Sequence, residues 1–329
     1  MTSLEHQLKR LKTPQTEEFR QHQIFRTSFL YDRKEAAGID CDTHLRLANK
    51  GLKNLIKSNP ELENYRDLFS EESKNLERSA LTQNENDQLS QRLRKLINST
   101  LVPFFMLNHC HEVLEYLIYK YHVHTYQTND LLCAILPYHE TRLFARALLT
   151  IPQFDAQLWG WLEPYRKGGV PVPKERILTI LASKSKLGLV ELLGDKLIEI
   201  NHDTTKASVY TSFYTTTMMC VLDVDLDEKF FVAFMPHVYK AVRKSNNINL
   251  YMAGLVLIGY LAYTQDLNES YLDKLVKRLA KTHEKLRCKE ENNRDLLDEY
   301  HKKVLTVITQ QQQQYKQQQQ SPHKVVNPK

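Results

Sequence analysis

The sequence predicts an all-α fold, a HEAT-like α-solenoid preceded by an irregular helical N-terminal portion. Three observations carry that reading. Glycine is scarce, with 9 residues in 329, and proline numbers 11, which suits helices better than a turn-rich β protein. Apolar residues recur at helical spacing in short stretches separated by capping residues and prolines. Within Phe230 to Tyr263, a proline-containing helix, a polar turn at Asn246 and Asn247, and an almost wholly apolar helix follow one another, which is the HEAT pattern.

The N-terminal helical array is assigned to residues 1–151. Thr2 and Glu5 resemble a capping box over a helix carrying Leu4, Leu8 and Leu11. A second stripe holds Phe19, Ile24, Phe25, Phe29 and Leu30. A third starts from an Asp42/Thr43 cap, carries Leu45, Leu52, Leu55 and Ile56, and stops at Asn59-Pro60. A weaker, more polar pattern over Glu61 to Gln83 includes Leu62, Tyr65, Leu68, Phe69 and Leu76. Asn84 to Asp87 is a capped restart for Leu89, Leu93, Leu96 and Ile97, and Pro103 bends the chain. The densest signal runs from Leu101 to Ile151. There a helix ends near Tyr121, and Thr128 and Asn129 cap the apolar run Leu131, Leu132, Ile135 and Leu136. Pro137 forces a turn. Thr141 restarts a helix with Leu143, Phe144, Ala147, Leu148 and Ile151 on one face, while Arg142 and Arg146 point elsewhere.

Residues 152–173, with Trp159, Trp161, Pro164, Gly168, Gly169, Pro171 and Pro173, read as an ordered loop that can divide two sub-arrays. HEAT-like repeats are expected over 174–309, with helices at Lys174–Leu187, Leu189–Ile200 and Thr204–Leu222 before the repeat at Phe230. That repeat sets Phe231, Phe234, Pro236, Val238 and Val242 against Tyr251, Ala253, Leu255, Val256, Ile258 and Leu261. An all-round apolar second helix needs cover on both sides. Leu272, Leu275, Val276, Leu279, Leu286, Leu296, Leu297, Val304, Leu305 and Ile308 supply it. Residues 310–329, glutamine-rich, are expected to form a disordered tail outside the core.

Charge is unevenly placed. Residues 1–270 hold 32 basic and 32 acidic side chains, so the net charge of +6 lies in residues 271–329, with 13 basic against 7 acidic. Lys274, Lys277, Arg278, Lys281 and Lys285 share one helical face, opposite Leu275, Leu279 and Leu286. Such a face can lie along a phosphate backbone or an acidic partner; a solubilising outer surface is the plainer reading. The five cysteines are far apart and form no CxxC pair, which fits a reducing, intracellular setting without a zinc ribbon or disulfide framework. The longest nearly apolar run, Leu250 to Tyr263, is shorter than the ~20 residues a membrane span needs.

Chemistry-bearing patterns are few. His109, Cys110 and His111, with His122 and His124, are the one cluster resembling metal ligands, but on a helix His122 and His124 point roughly 200° apart. Zinc needs converging donors. Asp223, Asp225 and Asp227 resemble the start of a calcium loop, yet Glu228 stands where glycine is needed and Phe234 where the bidentate glutamate belongs. No phosphate-binding glycine loop, serine elbow or cysteine–histidine pair is recognisable. The expectation is a protein without enzyme activity, cofactor, metal or small-molecule substrate.

Several ordered segments carry a resemblance. Leu136, Pro137, Tyr138, His139, Glu140, Thr141 and Arg142, followed by Phe144 and Arg146, resemble the N-terminal domain of the nucleolar family of HEAT repeat-containing protein 1. Its fungal members are called U-three small nucleolar RNA-associated protein ten. Met1-Thr2-Ser3-Leu4, Phe29-Leu30-Tyr31-Asp32, Ile39-Asp40, Leu76-Glu77-Arg78-Ser79 and Gly169-Val170-Pro171 agree in order, and the resemblance covers roughly Met1 to Lys289. It implies a scaffold in the nucleus, at the nucleolus, within the small-subunit processome. There the family belongs to the subcomplex joining ribosomal RNA transcription to early pre-rRNA processing. Its implied partners are processome subunits, commonly β-propeller proteins, with pre-rRNA or small nucleolar RNA contact; it implies no cofactor. The family's proteins are far longer than this chain. The competing reading is a generic HEAT-repeat adaptor in nuclear transport or trafficking, which would not share the Tyr121–Arg146 segment.

Overall fold

A computed structural model describes residues 26–224, 226–243, 247–265, 269–288 and 294–320. The expected opening helix over Leu4, Leu8 and Leu11, the stripe from Phe19 to Phe25 and the tail from Ser321 lie outside the described residues. The chain divides into two compact units, Met1–Phe154 with Leu162–Val172, and Asp155–Trp161 with Pro173–Lys329. The segment expected as one ordered loop is thus shared between units. It is also not all loop, because Glu163–Gly168 is helical.

The first unit holds α1 (Arg33–Gly38), α2 (Cys41–Ser58), α3 (Gln83–Phe104), α4 (Asn108–Tyr121), α5 (Val123–Tyr126), α6 (Thr128–Ile135), α7 (Arg142–Thr150) and α8 (Glu163–Gly168). Its caps explain its boundaries. Asp32 accepts hydrogen bonds from Lys34 N and Glu35 N to start α1. Asp40, not Asp42 or Thr43, caps α2 by accepting from Thr43 N at 2.8 Å; Asp42 lies in the first turn, where a carboxylate favours the positive helix end. Thr82 and Glu85 form a reciprocal capping box on α3, with the cap two residues before the expected restart at Asn84. α2 packs closely on α4 because Gly51 lacks a side chain: a Cβ there would stand 2.5 Å from His109 O. Between α2 and α3 the weak polar pattern of Glu61 to Gln83 becomes 3-10 helix at Pro60–Phe69 with short turns. The buried Glu115 carboxylate of α4 accepts from the amides of Phe29 at 2.8 Å and Leu30 at 2.9 Å, seating the incoming chain across 86 residues of sequence.

The second unit holds α9 (Lys174–Leu181), α10 (Leu187–Asp203), α11 (Ser208–Leu222), α12 (Glu228–Arg243), α13 (Ile248–Thr264), α14 (Glu269–Arg287) and α15 (Arg294–Gln320). The helix expected over Lys174 to Leu187 ends at Leu181, and a turn at Lys184–Lys186 separates it from α10. Sequence neighbours pack as α9 on α10, α10 on α11, α12 on α13 and α14 on α15, and helices stack on the next but one: α10 on α12 on α14, and α11 on α13 on α15. That alternation is HEAT-like solenoid stacking. α13 is covered by α11, α12 and α15, as its apolar composition requires. Asn247 caps it through Asn249 N at 2.9 Å, and Gly254 lets α12 approach, since a Cβ there would meet Val242 Cγ1 at 2.6 Å.

Three core expectations are corrected. Pro236 sits inside α12 but is exposed, so it marks the outer face. Leu296 is 49 % exposed while Leu297 is buried, because adjacent helical positions diverge by about 100°. The glutamine segment is not wholly outside the fold: α15 continues to Gln320. Gln311 is buried and donates to Gln265 O at 2.6 Å, and Gln312 donates to Asp273 at 2.7 Å. Glutamine is a good helix former, so a packed helix entering such a run extends through it. Among the described residues no helix is long and apolar enough to cross a membrane.

Ending the chain at Thr309 should therefore lower the stability of the second unit by about 1 kcal/mol, the worth of the Gln311 hydrogen bond. Denaturation with a probe in that unit checks this, and an unchanged midpoint would return Gln311 to the tail.

Acid should also weaken the fold. Burial, with the Arg26 charge adding, holds His44 down to about 4. Burial beside His122 does the same for His124, and burial beside His283 for His301. Each imidazole binds its proton more readily when unfolded, so its stabilisation is full above about 6.5 and is lost as pH falls toward 4. Denaturation midpoints between pH 7 and pH 4.5 should drop, and His44→Gln should flatten the slope for the first unit.

Candidate functional site

The segment from Tyr121 to Arg146 is built by local turns tied to distant backbone. α4 ends at Tyr121, and His122 adopts a left-handed conformation with φ 47°. The expected caps Thr128 and Asn129 do not cap α6. It begins at Thr128, whose hydroxyl instead donates back to His124 O at 2.9 Å, because the short α5 presents free carbonyls. After Ile135 the chain makes a 3-10 turn over Leu136–Tyr138 with Pro137 inside. Tyr138 Oη donates to Val102 O at 2.5 Å, and burial pushes its hydroxyl up to about 12. His139 Nδ1 donates to Val172 O at 2.7 Å, and Val172 N returns a bond to His139 O at 2.9 Å. Thr141 Oγ1 donates to Tyr138 O and accepts from Phe144 N at 3.1 Å, so it caps α7. Leu136 and Phe144 are buried, whereas Arg142 and Arg146 are exposed.

Arg78 is the functional-looking residue that sequence reasoning passed over. It is 6 % exposed. Its guanidinium donates to Asn86 Oδ1, Tyr121 O, Gln127 Oε1 and Ser90 Oγ at 2.6–3.2 Å and lies 4.0 Å under the Tyr126 ring. Burial lowers its basicity. Only its place in Leu76-Glu77-Arg78-Ser79, a segment of the resemblance, hinted at it.

The histidine cluster is split among separate partners. Cys110 is buried, with its thiol pushed up by desolvation. His111 Nε2 donates to Phe105 O at 2.7 Å, and His109 pairs with Glu112 at 3.3 Å. Among the described residues no group of three or more such side chains can hold a metal. Asp223 accepts from Tyr260 Oη, and Asp227 accepts from Lys229 N at 3.2 Å and pairs with Lys184 at 3.1 Å. Asp225 lies outside the described residues.

The basic face of α14 is where the periodicity puts it. Lys274, Lys277, Lys281 and Lys285 are exposed, while Leu272, Leu275, Leu279 and Leu286 are buried. Arg278 turns partly inward, its guanidinium 4.8 Å over the Tyr239 ring of α12, a cation–π contact that fixes it.

Over 293 residues, 86 % of this chain, the sequence is 30 % identical to human HEAT repeat-containing protein 1, of which the match covers 14 %. The chain is homologous to HEAT repeat-containing protein 1. The zebrafish (Danio rerio) protein of that name is 28 % identical over 295 residues, again 86 % of this chain and 14 % of the relative. The U3 small nucleolar RNA-associated protein 10 of Aspergillus oryzae is 29 % identical over 152 residues, 46 % of this chain and 8 % of its own length. No protein-family profile matches. The chain thus spans about one seventh of the first two HEAT repeat-containing relatives.

If Arg78 ties the segment together, Arg78→Met should destabilise the first unit by about 3 kcal/mol or more, since it leaves buried acceptors unpaired. Tyr138→Phe should cost only about 0.5–1.5 kcal/mol. Urea denaturation of both variants checks the order, and equal costs would dislodge Arg78 from that role.

Proposed function

We propose that this chain is a non-enzymatic scaffold acting in ribosome biogenesis, in the nucleolus, as part of the small-subunit processome. In that reading it helps join ribosomal RNA transcription to early pre-rRNA processing. The observation that carries it is the homology over 86 % of the chain to HEAT repeat-containing protein 1, together with relatives named for association with U3 small nucleolar RNA. The helical units suit the role. Stacked helices expose long ridges of side chains at fixed spacing, which dock other proteins without a catalytic cavity. The partners are processome subunits, β-propeller proteins among them. The exposed lysines of α14 form the surface on which pre-rRNA, small nucleolar RNA or an acidic subunit would lie. Affinity purification of the chain with mass spectrometry tests the assignment: processome subunits should dominate, and recovery of transport factors in their place would favour an adaptor in nuclear transport.

The α14 face makes a sharper demand. Replacing Lys274, Lys277 and Lys281 with glutamine keeps helix-forming side chains and removes three exposed charges, so folding should barely change. Affinity for a single-stranded RNA should fall, and the slope of log affinity against log salt should become shallower by up to about 2 units. Unchanged RNA binding with lost subunit recovery would assign the face to an acidic protein. No change in either would make it plain solvent-exposed surface.

A further inference from the structure

One corner of the first unit carries an aromatic ring whose exposure the fold itself does not need. Tyr126, at the end of α5, is 56 % exposed. One face of its ring rests on the Arg78 guanidinium, 4.0 Å from the ring centre. That cation cannot swing away, because Tyr121 O, Gln127 Oε1, Ser90 Oγ and Asn86 Oδ1 all hold it. The ring is therefore clamped from below, and a group that stacks on its outer side need not order it first.

Cations stand near the turn that carries the ring. Tyr126 N donates to His122 O at 3.0 Å, and the left-handed turn at His122 leaves that imidazole exposed. Desolvation lowers the basicity of His122, and the Arg26, Arg78 and Lys120 cations lower it further, so the positive charge here belongs to those three side chains. Arg26 is itself stacked 3.7 Å over the Tyr119 ring, and the Lys120 ammonium is anchored on Lys74 O at 2.7 Å. A fixed, open ring with cations near it is the arrangement that takes an unpaired base by stacking and its phosphates by charge. A duplex keeps its bases stacked on each other and cannot offer one. An acidic peptide would use the cations but has no need of a clamped flat ring.

We propose that this corner binds single-stranded nucleic acid, with one base stacked on Tyr126 and the flanking phosphates held by Arg26 and Lys120. The site lies in the other unit from the α14 lysines and goes beyond the scaffold reading, which stands whether or not it is correct.

The test uses the whole chain carrying the Lys274, Lys277 and Lys281 glutamine substitutions, so that the α14 face does not contribute. Fluorescence anisotropy with a labelled twelve-residue oligoadenylate should show binding that Tyr126→Ala weakens by about 5- to 150-fold, the range for loss of one stacked base. Tyr126→Phe should keep affinity within about twofold of the parent. Neither should alter the salt slope, whereas Arg26→Gln should make it shallower by about 0.7 unit, as for one phosphate contact on a single strand. A duplex of the same length should be insensitive to Tyr126→Ala. Should Tyr126→Ala fail to fold, 4-thiouridine photo-crosslinking of the unsubstituted side chains decides: an adduct within residues 119–126 supports the site, and adducts only elsewhere overturn it. Equal binding by folded Tyr126→Ala overturns it too. So does a polyglutamate peptide that binds as tightly and depends equally on Tyr126, which would make the corner an acidic-protein site.

Discussion

The first unit depends on a buried cation that has neutral partners. Arg78 is held by side chains of α3, by the last carbonyl of α4 and by Gln127 between α5 and α6. The contact with Tyr121 O is favoured by the negative end of the α4 dipole. A guanidinium suits this because its planar fork spreads five donors over several acceptors and is less strongly hydrated than an ammonium. Removing it would strand polar groups from three directions. Gln127 also donates to Ser90 Oγ at 3.0 Å, and Tyr121 Oη donates to Leu68 O at 2.6 Å. The hub therefore reaches from the 3-10 segment to α6, and it sets the place from which the chain enters Leu136–Arg146.

Beyond that point the same logic repeats with smaller parts. Tyr138, His139 and Thr141 spend their polar atoms on Val102, Val172, the Tyr138 carbonyl and the Phe144 amide. These residues shape backbone, and little of their chemistry is left for a partner. Arg142 and Arg146 face solvent. In the second unit apolar packing does the organising. Helices alternate between two layers, and the cationic face of α14 is exposed because its apolar face is needed by α12 and α15. An exposed charged face follows from the burial of the opposite one, so its position in the fold does not by itself signal a ligand.

Much of this architecture was legible in the amino-acid order. The Thr141 cap, the turn at Pro137, the Asn247 turn and the burial of Phe144, Leu255 and Leu279 follow from local spacing and from what each side chain can do to its own backbone. So does the exposed lysine row of α14. Such features involve residues within about four positions of each other, and helical periodicity reports them directly.

Other features were decided only when distant segments met. The choice of Leu297 over Leu296 and the capture of Gln311 by Gln265 turn on which face a neighbour covers. Helix propensity does not encode that. Arg78 and Glu115 would each be read as surface charges from their neighbours in sequence. Each is buried because distant groups come to meet it: Tyr121 O, 43 residues from Arg78, and the Phe29 amide, 86 residues from Glu115. The sequence determined which stretches are helical and which faces are apolar, since those are properties of short range. The tertiary structure alone decided which polar groups could be taken out of water, because desolvation is tolerable only where partners from elsewhere in the chain replace it.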